Sequence, residues 1–194
     1  MRILALCGSL RAASLNAALL RATVRLAPAC IEVRVFDSLG ALPLFNPDLD
    51  VDFDPDAGAE ALRPAVVRAL REAVDAADAV LIASPEYAHG VTGTIKNALD
   101  WLVSFPPFAG KPVAVFNASP RAHHADDALR ETLRTMSADI VEAACVKLPL
   151  LGAKLDEDGM AASPDVAAVV REALASLREH LASRHVDVAR FPLP

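Results

Sequence analysis

The chain has 194 residues, 54% of them hydrophobic and 23% charged, with a formal net charge of −6 and a sequence pI near 5.3. Such a length fits one domain of ordinary size, and the composition supports a sizeable core, which excludes a disordered chain. The acidic balance excludes a nucleic-acid protein held by phosphate contacts. Three scattered cysteines, Cys7, Cys30 and Cys145, make neither a disulfide framework nor a CxxC metal site. The opening MRILALC has too short an apolar run for a signal peptide, with no cleavage site after it. No stretch approaches the roughly 18 apolar residues of a membrane span. The expectation is a soluble cytoplasmic domain. Aromatic residues make up only 5% of the chain, with a single Tyr, Tyr87, and a single Trp, Trp101. The core must therefore rest on Ala, Leu and Val, and an exposed aromatic becomes informative.

Apolar runs and helical periodicities alternate along the chain. Residues 3–7 (ILALC) form a short, fully apolar run ended by Gly8, as expected of a strand covered on both faces. Leu15, Leu19, Ala22 and Leu26 then recur at helical spacing, with Pro28 just beyond. Residues 31–36 read as a second strand. Pro64 stands near the start of a helix carrying Val66, Leu70 and Val74. Residues 79–83 read as a third strand, and residues 94–103 as a helix with Ile95, Leu99 and Leu102 on one face. Residues 112–116 make a fourth strand, and residues 125–136 a helix with Leu129, Leu133 and Met136. A fifth strand fits within residues 141–148, and a last helix opens at Ser163-Pro164.

Five strands separated by helices must run parallel with right-handed crossovers, and a single sheet covered on both faces satisfies this most simply. The connection over residues 37–62 is longer than most loops, and its apolar LGALPLFNP stretch is expected to pack on something. A single domain is expected over residues 1–185, followed by a tail at 186–194 without clear periodicity.

Three connections, all after strands, carry polar chemistry. The first, Gly8-Ser9-Leu10-Arg11-Ala12-Ala13-Ser14-Leu15-Asn16, sets a glycine, two hydroxyls, an amide and a cation before a helix N-terminus. Free backbone N–H groups and the helix dipole favour an anion there. An ordinary polar turn with Ser14 or Asn16 as N-cap is the plainer alternative. Neither GxGxxG nor GxxxxGK[ST] is present. The second connection, residues 84–93 (SPEYAHGVTG), holds the single Tyr with a stiffening Pro and two glycines. It reads either as a ligand loop or as a strand-to-helix turn. The third, residues 117–124 (NASPRAHH), sets His123 and His124 ahead of Asp126 and Asp127. That spacing matches no metal motif, and the acids suit a helix start, so no metal is assigned. In a flavodoxin-type sheet of order 2-1-3-4-5, strands one, three and four are neighbours. Their loops then converge at the switch point where such sheets bind ligands, a layout for a flat ligand bearing one phosphate.

The segments CGSLRAASLN, LPLFNPDLD and SPEYAHGVTGTIKNALDW, in that order, resemble the NAD(P)H-dependent FMN reductase family, which includes quinone, chromate and azo-dye reductases. The resemblance covers roughly residues 1–120. It implies a flavodoxin-like three-layer α/β sandwich with a five-stranded parallel sheet and helices on both faces. It also implies FMN as cofactor, NAD(P)H as co-substrate, and a homodimer or homotetramer with the flavin near the subunit interface. By this resemblance Ser9, Arg11, Ser14, Leu15 and Asn16 would hold the FMN phosphate. Pro85, Glu86, Tyr87 and Gly90 would lie along the isoalloxazine and ribityl chain, with Ser119 on the adjoining loop. Two departures stand out. Thr92-Gly93 replaces the family's Pro-Gly, and Arg121-Ala122-His123-His124 occupies a stretch that is glycine-rich in the family. Bulkier residues there would narrow the pocket, change acceptor choice or weaken flavin retention.

The activity so implied is hydride transfer from a reduced nicotinamide, through FMN, to a small acceptor: free flavin, a quinone, an azo compound or chromate. The cofactor carries the difficult chemistry, so no side-chain nucleophile is required. Alternatives are a reductase specialised for one acceptor, a flavodoxin-like electron carrier or flavin-binding regulator without turnover, and a relative that has lost its flavin. The modest, mixed charge disfavours a carrier with an acidic docking face. Other residues read plainly: Cys7 as a small buried apolar residue, Lys96 and Asp100 as a helical i,i+4 pair, Trp101 as a core or interface residue. Arg2, His180 and His185 carry no functional signal. The length leaves no room for a separate nicotinamide domain, so both substrates are expected to share one cleft.

Overall fold

The computed structural model describes residues 1–50, 63–119 and 121–190, with side chains as far as Arg184. Part of the long connection (51–62), Pro120 and the last four residues of the expected tail lie outside the described residues.

Five main strands build one parallel sheet. They are β1 (Arg2–Cys7), β2 (Glu32–Val35), β3 (Ala79–Ala83), β6 (Pro112–Asn117) and a divided last strand, β7 (Asp139–Ile140) and β8 (Val146–Lys147), while β4 (Glu86–Tyr87) and β5 (Gly90–Val91) pair as a hairpin outside the sheet. The order is β2-β1-β3-β6-β7, with β8 also on β6, which is the expected 2-1-3-4-5 arrangement. Strand pairing is parallel throughout the sheet, as in Ile3↔Val33, Ile3↔Ala79 and Val80↔Val113.

Strands β1, β3 and β6 are apolar at every interior position because both faces are covered. Their side chains alternate between two cores, as the period of two requires. Ile3, Ala5, Leu81, Ala83, Ala114 and Phe116 enter one core. There they meet α1 (Leu15–Leu26), a short α5 (Glu157–Ala162) and α6 (Pro164–Arg190). Leu4, Leu6, Val80, Ile82, Val113 and Val115 enter the other, against α2 (Ala65–Ala76), α3 (Gly93–Asp100) and α4 (His123–Thr135). Each fully buried Leu or Ile contributes about 1.5–3 kcal/mol relative to exposure.

The fifth strand departs from expectation. It begins at Asp139 rather than within residues 141–148 and is interrupted by a 3-10 turn, Glu142–Ala144. Pro112 and Val113 pair with Asp139 and Ile140, and Phe116 and Asn117 pair with Val146 and Lys147. Ala114 and Val115 therefore face the whole excursion of residues 141–145. The Val115 N–H left over there donates to Cys145 Sγ at 3.3 Å. The last helix continues to Arg190, so residues 186–190 are helical backbone rather than aperiodic chain.

The apolar stretch of the long connection does pack. Leu39 and Leu42 are buried, and Phe45 meets Trp101 edge to face with ring centroids 5.0 Å apart. Asn97 accepts from Phe45 N at 2.8 Å and donates to Pro43 O at 2.9 Å, and Trp101 Nε1 donates to the same carbonyl. Trp101 is thus a fully buried core residue whose one donor is satisfied. Further along, Asp50 lies between Arg63 and Arg71, at 2.8 Å from each, and accepts from Ser104 Oγ. Among the described residues no helix is long and apolar enough to cross a membrane.

Candidate functional site

The loops after β1, β3 and β6 meet at the carboxyl end of the sheet, as the strand order requires, and enclose a cavity of about 340 Å³. Volumes of this order suit a cofactor or substrate. Ser9, Arg11, Ser14, Leu15, Asn16, Pro85, Glu86, Tyr87 and Ser119 all line it. Gly90 does not: it pairs with Tyr87 in the β4–β5 hairpin, outside the lining.

The β1–α1 loop can form because residue 8 is glycine. A Cβ there would fall 2.1 Å from Ser84 Oγ, 2.6 Å from Ser84 Cβ and 2.8 Å from Ile95 Cγ1. The need is for close approach of the β1 and β3 ends, locked by Gly8 N donating to Ala83 O at 2.9 Å. Ser14, buried, is the N-cap: its Oγ accepts from Ala17 N at 3.2 Å and its carbonyl from Ala18 N. Asn16 lies one turn position inside the helix instead of capping it. The N–H groups of Leu15 and Asn16 belong to the orphan donors of a first helical turn, and the buried Asn16 Oδ1, an acceptor, has no partner among the described residues. Arg11 is exposed and, among the described residues, has no acidic partner. Donors, dipole and cation thus converge on one end of the cavity.

Cys7, at the root of this loop, is half-buried, and burial pushes its thiol up against weaker hydrogen-bond and charge effects of Ser9, Ser14 and Arg21. It is a packing residue, as its place at a strand end suggests.

The β3–α3 loop is a two-residue hairpin with Ala88 and His89 at φ 50° and 61°, both left-handed, as a type I′ turn demands. The strained positions are therefore not the glycines. Tyr87 stands 57% exposed at the cavity wall. Thr92, where the family carries Pro, caps α3 by accepting from Ile95 N at 3.4 Å, and its Oγ1 lies 3.3 Å from Ser84 Oγ.

Glu86 serves a purpose the sequence did not disclose. Its Oε2 accepts from Ala125 N in the first turn of α4 at 2.9 Å, so one loop caps the helix following another. That hydrogen bond holds the carboxyl below its ordinary range, against the smaller effect of desolvation, with help from the charges of His124, His89 and His123. Asn117, buried at the end of β6, shapes the third loop by accepting from Ser119 N and donating to Ala122 O, both at 2.9 Å. Neither role has a signature in sequence, because each joins residues brought together by the fold. His123 and His124 stack at 4.0 Å between centroids, and His124 meets His89 at 4.4 Å.

The cavity offers a donor-rich, cationic end and a wall of Tyr87, Pro85, Ala118 and Leu151. The first-turn N–H groups of α1, the hydroxyls of Ser9 and Ser14 and the exposed guanidinium of Arg11 fit a phosphate. The exposed tyrosine ring fits a flat group, and FMN has both parts.

Comparison with known proteins gives the same direction. The family model described as NADPH-dependent FMN reductase matches residues 1–153. Over 121 residues the chain is 40% identical to a quinone reductase of Escherichia coli (strain K12), an alignment covering 61% of this chain and 60% of that protein. The same figures hold for an NAD(P)H-dependent FMN reductase of Pseudomonas aeruginosa. The chain therefore spans about 60% of the length of these two curated relatives. Among solved structures it is similar to a flavoenzyme NAD(P)H:(acceptor) oxidoreductase from Paracoccus denitrificans, at TM-score 0.74 and 26% identity over 92% of this chain and 98% of that one.

Proposed function

The chain belongs to the NADPH-dependent FMN reductase family, and from that premise we propose that it is an FMN-dependent NAD(P)H oxidoreductase acting on a small acceptor: a quinone, free flavin, an azo compound or chromate. The observation that carries the proposal is the phosphate-ready first turn of α1 opening into the same cavity as Tyr87.

Bound FMN would supply the ring that accepts and returns a hydride. The protein's part is to hold and orient. Leu15 and Asn16 N–H, the hydroxyls of Ser9 and Ser14, and the Arg11 guanidinium would receive the phosphate. Tyr87 and Pro85 would flank the ring. Glu86, by staying on Ala125 N, fixes the hairpin against α4 and so sets the distance between the second and third loops. Ser119, in a turn closed by Asn117, would face the ring from the remaining side. A second substrate would use the open mouth, first the nicotinamide and then the acceptor.

A cytoplasmic homodimer or homotetramer belongs to the same reading. Exposed Leu10, Tyr87 and Leu151, on or beside the cavity rim, support a covering subunit. The carrier alternative separates cleanly: FMN-loaded protein should oxidise NADPH continuously with benzoquinone present. Absence of turnover until a partner reductase is added would favour the carrier.

A further inference from the structure

We propose that Arg121 anchors the phosphates of the reduced nicotinamide dinucleotide, in a subsite continuing outward from the cavity. The inference rests on the activity proposed above. A groove of about 430 Å³, lined by Ser119, Arg121, Pro149, Leu151 and Gly152, adjoins the cavity. Ser119, Arg121 and Leu151 border both spaces, so a molecule reaching from one to the other passes the guanidinium.

Among the described residues Arg121 has no acidic partner, and it is exposed. His123 and His124 occupy the first two positions of α4, and His89 meets His124 edge-on at 4.4 Å between centroids. Two nearby carboxylates face other groups. Glu86 serves the N-terminus of α4, on Ala125 N and 3.8 Å from His89 Nδ1, and Asp126 Oδ2 meets Arg130 and Lys147 at 3.0 and 3.4 Å. The Arg121 guanidinium is left facing the groove. The chain as a whole carries −6, so a polyanionic substrate needs such a local cation to be drawn in.

The ligand chemistry follows from the shape. A molecule with a flat reacting ring in the cavity and a phosphate-bearing continuation in the groove is a dinucleotide. A neutral quinone offers Arg121 nothing. The contacts of Arg121 with its own loop are made by backbone: its N–H donates to Ser119 Oγ at 3.4 Å, and its carbonyl lies 3.2 Å from His123 Nδ1. The guanidinium can be changed without disturbing the turn.

The test is anaerobic reduction of the FMN-loaded protein, wild type, Arg121→Gln and Arg121→Lys, by NADPH, NADH and phosphate-free reduced nicotinamide riboside. Arg121→Gln should weaken dinucleotide binding by about tenfold, as expected for loss of a charge-assisted hydrogen bond at an exposed site. Arg121→Lys should retain most of the affinity, and the riboside should react equally with all three proteins. Equal losses for NADH and NADPH assign the contact to the pyrophosphate, and a loss confined to NADPH assigns it to the 2′-phosphate; either supports the subsite. Unchanged dinucleotide binding in Arg121→Gln, or an equal loss with the riboside, would overturn it. A wild type inert to all three reductants would overturn the activity itself, and the subsite with it.

Discussion

Glu86 Oε2 accepts from the backbone N–H of Ala125 at 2.9 Å, and this bond ties the Tyr87 hairpin to the first turn of α4. Because the bond lowers the carboxyl's pKa, its stabilisation is present above the unfolded pKa and is lost as pH falls through the folded value. The melting temperature of Glu86→Gln should thus lie below wild type at pH 7. The gap should close as pH drops below about 4, the ordinary glutamate range. A gap that does not narrow at all as pH falls into the acid range would show that the charge is irrelevant to the contact.

Gly8 is required by space. Gly8→Ala places a methyl 2.6 Å from Ser84 Cβ, an atom too close to backbone to swing aside. Overpacking of this kind costs about 1–3 kcal/mol, or a fall in melting temperature of roughly 2–12 °C for a chain of this size. The double variant Gly8→Ala/Ser84→Gly should recover part of the loss. Thermal melts that show equal, additive losses would contradict the contact.

The ion pairs of Asp50 with Arg63 and Arg71 fasten the long connection to α2 and the residues just before it. Burial opposes ionisation of Asp50, but hydrogen bonds from Ser104 and Arg63 and the charges of Arg71 and Arg63 outweigh it, so the carboxyl is held below its ordinary range. Its side chain is 4% exposed, and removing one partner of a buried pair costs about 3–5 kcal/mol. Asp50→Ala should lower denaturant stability by that order at pH 7, with the deficit shrinking as pH falls through the depressed pKa of Asp50. A deficit under about 0.5 kcal/mol, the range of ordinary surface changes, would refute the role.

Tyr87 is exposed and has little to lose from the fold. Tyr87→Ala should leave thermal stability within about 0.5 kcal/mol of wild type while weakening FMN binding measured by fluorescence quenching. Unchanged binding would remove Tyr87 from the site.

Ser14→Ala deletes the cap of α1 and a hydroxyl at the proposed phosphate position. A stability loss of about 1 kcal/mol is expected, with weaker FMN binding alongside it. Loss of stability with no change in binding would reduce Ser14 to a cap alone.

The strands β1, β3 and β6 were legible in sequence because uninterrupted apolar runs ended by Gly8, Ser84 and Asn117 mark strand ends directly. The sheet order and the convergence of the three loops followed only once a flavodoxin-type order was supposed. The last strand was not legible. The run from Val141 to Leu148 contains no Gly or Pro to mark its interruption, and the device that allows it, Cys145 Sγ accepting from Val115 N, joins distant segments. The same applies within the site. Ser14 as a cap follows from spacing, whereas the use of Glu86 to cap α4 and of Asn117 to close the third loop exists only once β3 and β6 lie side by side. The stretch from Arg121 to His124, where the chain departs from the pattern it otherwise resembles, is where the structure adds most: an exposed arginine at the mouth of the cavity.

The central claim is that this cavity holds FMN and that a reduced nicotinamide reduces it there. The most direct measurement is the visible spectrum of the purified protein titrated with FMN and then given NADPH without oxygen. The account predicts saturable binding at one FMN per chain and bleaching of the bound flavin on addition of NADPH. A protein that stays colourless with excess FMN, or whose bound flavin keeps its colour under NADPH and NADH alike, would contradict it.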